Sequence, residues 1–180
     1  MCGAHLIASY DPASGKQIWF VETPTEVTAC TPACGDGVVF AGGNVPVREA
    51  LCVRADGQGN VTETHVLWRS KKNVTYVPTP LIDNGLLYLI NDSGIAHCLN
   101  LQSGEELYKE RIGGDFSSSP LLAGNRIYVT SEQGETTVLR AGRKFEVLAR
   151  NELGEPVFAT PVFLGDKVFL RTAAQLLCIG

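Results

Sequence analysis

The chain has 180 residues, 44% of them apolar and 19% charged, with a formal net charge of −4. Those values exclude a mainly disordered chain and a broad basic surface for nucleic acid; no apolar run is long enough for a membrane span. Glycine is abundant, at 19 residues, and is set among short apolar runs, a pattern of turns joining strands that predicts an all-β fold.

The first ten residues, MCGAHLIASY, lack the basic region and apolar core of a secretory signal. Residues 5–22 read as two strands, the second at Gln17-Ile-Trp-Phe20. Thr31-Pro32 then heads a short strand, followed by the turn Gly35-Asp-Gly37, the apolar strand Val38-Val-Phe40 and, after a longer interval, Val66-Leu-Trp-Arg69. Thr79-Pro80 opens the next unit, with a turn at Asp83-Asn-Gly85 and strands at Leu86–Ile90, Ile95–Leu99 and Glu106–Lys109. Ser119-Pro120 repeats the arrangement, with Ala123-Gly-Asn125, Arg126–Val129, Glu135–Leu139 and Phe145–Leu148. Thr160-Pro161 starts a final, shorter copy: Leu164-Gly-Asp166, Lys167–Leu170 and Gln175–Ile179.

The prolines of these units are spaced 48, 40 and 41 residues apart. A second landmark, Trp19, Trp68, Tyr108 and Leu148 in the fourth strand, is spaced 49, 40 and 40. Four short strands per ~40 residues is the unit of a β-propeller blade. The strands are almost continuously apolar, as expected where neighbouring blades cover both faces of a sheet. Proline at a strand head costs no ladder donor, and glycine after Asp or Asn supplies the positive φ of a tight hairpin. The longer first interval places an insertion of about eight residues between Gly42 and Asn60, with the surplus in 43–50 and 56–60. The expectation is one propeller domain over 1–180, with antiparallel four-stranded blades and about four blade equivalents. Residues 5–27 end a blade, 28–73, 74–115 and 116–155 are whole blades, and 156–180 begin another, an incomplete ring.

The segment Ser9-Tyr-Asp11-Pro-Ala-Ser-Gly15-Lys-Gln-Ile-Trp19 resembles the tryptophan-docking repeat A-x-D-x-x-x-G-K-x-x-W of the PQQ-like propeller superfamily, which includes quinoprotein dehydrogenases and BamB-like lipoproteins. A weaker copy runs from Cys98 through Asn100 and Gly104 to Tyr108, and the blade before it keeps Trp68. The resemblance implies that Trp19, Trp68 and Tyr108 pack on the neighbouring blade, while Asp11, Gly15 and Gly104 shape the preceding turn. Rings of this superfamily usually have seven or eight blades, so the chain resembles the C-terminal half of one, and two copies could complete a ring. The terminus at Leu176–Gly180 resembles a natural family end. A missing N-terminal portion would account for the absent signal peptide, and the resemblance implies a periplasmic or otherwise extracytoplasmic protein.

A quinoprotein dehydrogenase of this superfamily would require a PQQ pocket, a calcium site and a vicinal cysteine pair. No two cysteines are adjacent, and Asp56-Gly-Gln-Gly-Asn60 lacks a calcium-loop pattern. Asp36, Asp83 and Asp166 fit hairpin chemistry better. Gly113–Ser119 lacks the phosphate-loop signature, and Arg69 with Lys71-Lys72 reads as a solvated spot. Two glycosylation sequons occur, at Asn60 and Asn73. The hydroxyls at 31, 79, 119 and 160 could line a channel, but satisfying backbone groups at strand entry is the simpler role. Six cysteines, at 2, 30, 34, 52, 98 and 178, admit disulfides, a metal site or buried thiols. Cys52, Cys98 and Cys178 share one repeat position, and Cys34 falls where other blades carry Ile82, Leu122 and Phe163, which favours buried free thiols.

What remains is a non-catalytic binding or scaffold propeller without cofactor, PQQ and calcium belonging only to the alternative of a dehydrogenase fragment. Its expected partner is a protein or peptide. Insertions in repeat proteins cluster on one face, often the binding face. Val45, Pro46, Val47 and Arg48 are therefore the candidate contact loop.

Overall fold

The computed structural model describes residues 1–72 and 74–180; the sequon at Asn73 lies outside them. Nineteen strands and no helix are found among the described residues. The first sheet holds β1 (Cys2–Gly3), β2 (Leu6–Tyr10) and β3 (Gln17–Glu22), so the leading unit reaches back to residue 2. The second is built from β4 (Ala33–Gly35), β5 (Val38–Gly43), β6 (Glu49–Arg54) and, after a detour through β7 (Gly59–Asn60), β8 (Val66–Ser70). The third has β9 (Leu81–Asp83), β10 (Leu86–Ile90), β11 (Ile95–Asn100) and β12 (Glu106–Arg111). The fourth has β13 (Leu121–Ala123), β14 (Arg126–Thr130), β15 (Glu135–Arg140) and β16 (Val147–Glu152). The last is three-stranded: β17 (Val162–Leu164), β18 (Lys167–Arg171) and β19 (Leu176–Ile179).

Each sheet is an antiparallel meander in chain order, and β7 alone joins a sheet out of order, pairing parallel with β3 at Trp19 and Phe20. This is where part of the insertion goes. β3 carries a mostly apolar outer edge, Gln17-Ile-Trp-Phe-Val-Glu22, and such an edge invites foreign pairing unless covered. Asn60 and Thr62 complete the cover: Thr62 Oγ1 accepts from the Glu22 amide at 3.0 Å, and Asn60 Nδ2 donates to the Glu22 carboxylate at 3.3 Å.

The inner hairpins have the turns their sequences dictate. Asp36-Gly37 and Asn84-Gly85 both take positive φ at the two central positions, the type I′ pattern. Gly124 and Gly165 take positive φ at the first position of theirs.

Successive sheets stack through shared apolar layers. Ile7, Trp19 and Val21 of the first meet Leu51, Val53 and Val61; Phe40 and Cys52 meet Leu87, Leu89 and Leu99; Tyr88 and Cys98 meet Ile127, Val129 and Leu139. Between the fourth and last sheets, Tyr128 meets Phe163 with ring centroids 4.9 Å apart. All five residues of β10 are buried, whereas outer strand β12 exposes Glu106, Lys109, Glu110 and Arg111. The result is an incomplete propeller of about four blades with no closed sheet.

Candidate functional site

The sheet-to-sheet contacts are built by the repeat motif. Asp11 Oδ1 accepts from the Ala13 amide at 2.9 Å and Oδ2 from the Ser14 hydroxyl at 2.6 Å, while the Gly15 amide donates to the Asp11 carbonyl at 2.8 Å. The Ser14 hydroxyl and then the Ala13 amide hold the Asp11 carboxyl below the usual carboxylate range. Asn100 reproduces the turn, accepting from the Gln102 and Ser103 amides at 3.0 Å each, with the Gly104 amide on its carbonyl at 2.9 Å. Gly15 and Gly104 take φ of 69° and 71°, a region L side chains avoid. Gly104 has a second reason: a Cβ there would stand 2.7 Å from Cδ2 of Trp68, in the preceding blade.

The tryptophans reach forward. Trp19 is 2% exposed and its Nε1 donates to the Ala55 carbonyl at 3.0 Å; Trp68 Nε1 donates to the Leu101 carbonyl at 2.8 Å. Trp68 also packs on Phe40, centroids 5.6 Å apart. Tyr108 meets Phe145 edge-on at 5.6 Å. The fourth copy of the landmark is Ala149, not Leu148. In every four-stranded unit the third and fourth strands are offset by a bulge, and the pairs beside it are Ser9–Trp19, Cys52–Trp68, Cys98–Tyr108 and Val138–Ala149. Leu148 falls in the bulge because the loop before β16 is one residue longer. With only a methyl group at this position, a cleft of about 470 Å³ remains, lined by Tyr128, Val138, Leu148 and Ala149 among others.

The hydroxyl residues before the prolines link the inner strands. The Thr31 amide donates to Thr79 Oγ1 at 3.2 Å, Thr79 to Ser119 Oγ at 2.9 Å, and Ser119 to Thr160 Oγ1 at 2.9 Å. The hydroxyls of Thr79, Ser119 and Thr160 each thus satisfy a backbone donor of the preceding blade, as a role at strand entry predicts.

The cysteines divide. All six are free thiols. Cys52 and Cys98 are buried and donate to the Leu101 and Gly142 carbonyls of the next blade at 3.5 and 3.7 Å. Burial pushes both thiols up to about 12. Cys30 is buried too, and Cys2 is half-buried. Cys34 and Cys178, expected to be buried, are exposed. The middle residue of an inner strand faces the preceding sheet, as Phe163 faces Tyr128, and among the described residues the first sheet offers Cys34 no inner strand. Cys178 belongs to the last sheet, whose outer face meets no further sheet among the described residues. Among the described residues no group of three or more His, Cys, Asp or Glu is placed to hold a metal ion.

The candidate loop forms part of one rim. Val45, Pro46, Val47 and Arg48 are exposed, and the Val45–Pro46 bond is cis. The Glu26 and Val27 amides donate to the Val45 carbonyl at 2.6 and 3.1 Å, and the Asn44 amide donates back to Val27 at 3.3 Å. Arg48 is a brace as well as a surface residue, since its Nη2 donates to the Val74 carbonyl at 2.9 Å. Val27, Val45 and Val47 stay exposed at 42, 48 and 36%. A separate shallow cleft, about 550 Å³, lies between Asp11, Lys16 and Ile18 of the first blade and Gln58 and Gly59 of the insertion.

Stacked four-stranded sheets joined by docked tryptophans define a PQQ-like propeller. A family model described as "Outer membrane protein assembly factor BamB" matches residues 3–144, and the chain belongs to that family. Curated protein sequences contain no match. Among solved structures, BamB from Moraxella catarrhalis is similar with a TM-score of 0.76 and 15% identity, over 98% of this chain and 53% of that one. The computationally designed Ika4 protein is similar at 0.71 and 13%, over 92% and 98%. The designed Ika8 protein is similar at 0.73 and 12%, over 99% and 56%. The chain therefore spans about half the length of the BamB and Ika8 chains.

Proposed function

We propose that this propeller arc is a non-catalytic binding module that mediates protein–protein contacts in the cell envelope, and that the rim at Val27, Val45, Pro46 and Val47 is one contact surface. The observation that carries the reading is a loop held firmly by main-chain hydrogen bonds and by Arg48 that nevertheless presents valines to solvent. Rigid apolar projections bind at low entropic cost, and function on such scaffolds resides in their loops. The family's description as an outer membrane assembly factor supports both the class of partner and the envelope setting. No helix among the described residues is long and apolar enough to cross a membrane.

The test is cross-linking capture from envelope extracts with the purified chain and its Val45→Asp/Val47→Asp variant. Loss of the captured species with an unchanged circular dichroism spectrum is expected; identical capture by both proteins would reject the rim.

A further inference from the structure

The inner turns of the second and third sheets meet. Gly35 of β4 allows the approach, since a Cβ there would stand 2.8 Å from Cγ2 of Ile82 in β9. Across this contact Asp36 Oδ2 accepts from the Gly85 amide at 2.7 Å, a hydrogen bond that ties one type I′ turn to the next. Among the equivalent turn residues Asp36, Asn84, Gly124 and Gly165, Asp36 alone carries a carboxylate, so the bond is particular to this pair of blades.

The amide it holds has a chemical significance. Asn84-Gly85 is the one Asn-Gly pair in the sequence, and Asn84 is exposed. Asparagine before glycine is the context in which the side-chain amide is lost most readily, because no side chain shields the following nitrogen. In that reaction the Gly85 nitrogen gives up its proton and attacks Asn84 Cγ. The side-chain amide takes up a proton and leaves as ammonia, and water opens the resulting cyclic imide to aspartate or isoaspartate. Here both reacting groups are held. The Gly85 proton lies on a carboxylate, which favours the protonated amide over the anion that the attack requires. Carboxylates are far too weak as bases to remove an amide proton themselves. Asn84 Nδ2 donates to Asp83 Oδ2 at 2.9 Å, which draws the side chain toward the residue before it rather than the one after.

We propose that Asn84 is a latent deamidation site, and that Asp36 of the neighbouring blade is the positioning residue that keeps it closed. The protection lasts while the second and third sheets stay docked, because the carboxylate and the amide belong to different sheets. Its loss has structural consequences. Aspartate at this position would add a carboxylate beside Asp83, in the turn that Asp36 already contacts. Isoaspartate would lengthen the main chain inside the turn that sets the register of β9 on β10. The chemical lifetime of this hairpin is thus tied to the blade interface, independently of any partner at the rim.

The test is ageing of the full chain at neutral pH, with deamidation at Asn84 followed by site-resolved mass spectrometry and isoaspartate by enzymatic methylation. Asp36→Gly removes the carboxylate but leaves a Gly-Gly pair suited to the same turn. It should lose the Asn84 amide about tenfold faster than the parent, the rate equivalent of one charge-assisted hydrogen bond. Gly35→Ala keeps the carboxylate but forces the turns apart, and should speed the reaction as well. Resistance of Cys52 and Cys98 to maleimide shows that each variant is folded, and in urea all three chains should react at one common rate. A measurement on the parent alone covers the case in which a variant fails to fold: its Gly85 amide should exchange with deuterium at least about tenfold more slowly than in the unfolded chain, as a bonded amide does. Equal or slower loss of Asn84 in folded Asp36→Gly, loss in the folded parent as fast as in urea, or Gly85 exchange at the unfolded rate would each overturn the proposal.

Discussion

The third and last sheets follow one plan and end in different environments. Thr79-Pro80 corresponds to Thr160-Pro161, Tyr88 to Phe169 and Cys98 to Cys178. Tyr88 is 2% exposed and Cys98 not at all, whereas Phe169 is half-buried and Cys178 exposed. Local sequence does not make this difference. Tyr88 and Cys98 face Ile127, Val129 and Leu139 of a following sheet, and among the described residues the last sheet has no such follower. In a solenoid-like stack, burial belongs to the interface rather than to the repeat. The sequence does register the change in one place: Arg171 stands in β18 where β10 has Ile90 and β14 has Thr130.

The sharpest way to break the comparison is to truncate the same strand position in both sheets. Tyr88 is buried in β10 on the face that meets the following sheet, and Phe169 is its half-buried counterpart in β18. Tyr88→Ala should cost about 4 kcal/mol in urea unfolding and Phe169→Ala less than about 2 kcal/mol. Equal costs would mean that the last sheet is covered in solution.

The thiols offer a second contrast. Under native conditions a maleimide should modify Cys34 and Cys178 quickly and Cys52 and Cys98 only on unfolding. Because burial raises the Cys52 and Cys98 thiols to about 12, the unfolded chain loses these protons first as pH climbs. Their contribution to stability is therefore complete below the ordinary thiol value near 8.5 and is lost as pH rises toward 12, by up to ~1.4 kcal/mol per pH unit per thiol. A Cys52→Ala/Cys98→Ala protein should show a flatter alkaline limb in unfolding midpoints measured from pH 7 to 10.

Much of this architecture is legible in the sequence because proline, glycine and the docking tryptophan act locally. Asn84-Gly85 forms its turn wherever it sits, and Pro80 can stand only at a strand head. What escapes notice depends on neighbours. The Gly59–Asn60 strand has no strand-like composition and exists because β3 presents an open apolar edge. The exposure of Cys34 follows from a strand that the first sheet lacks among the described residues. The shift of the fourth landmark to Ala149 comes from a bulge, a feature of pairing that leaves no mark in residue type. The role of Arg48 as a brace depends on carbonyls 24 and 26 residues away.

The two complete turns of the docking motif allow a finer separation of backbone from packing. Gly15 and Gly104 have almost the same φ, but an added Cβ meets nothing within 4 Å at Gly15 and meets the Trp68 ring at Gly104. Gly15→Ala should therefore show backbone strain alone, about 1 kcal/mol, and Gly104→Ala about 2–3 kcal/mol, with a change in tryptophan fluorescence. Identical losses would remove the ring contact from the account.

The smallest effect is expected from making the first motif chemically like the second, by Asp11→Asn. Both side chains accept two donors in the same turn, and Asn100 already does so without charge. At neutral pH the variant should melt within about 1 °C of the parent, a shift in the range usual for surface substitutions. The acid limb is where the two should part. The Ser14 hydroxyl and Ala13 amide depress the Asp11 carboxyl, so its contribution is present above the unfolded value near 3.9 and disappears as pH falls through the lower folded value. An amide has no proton to take up in that window. The variant's melting temperature between pH 5 and 2 should therefore fall less steeply than the parent's, and parallel acid limbs would show that the turn tolerates a protonated carboxyl as well as an ionised one.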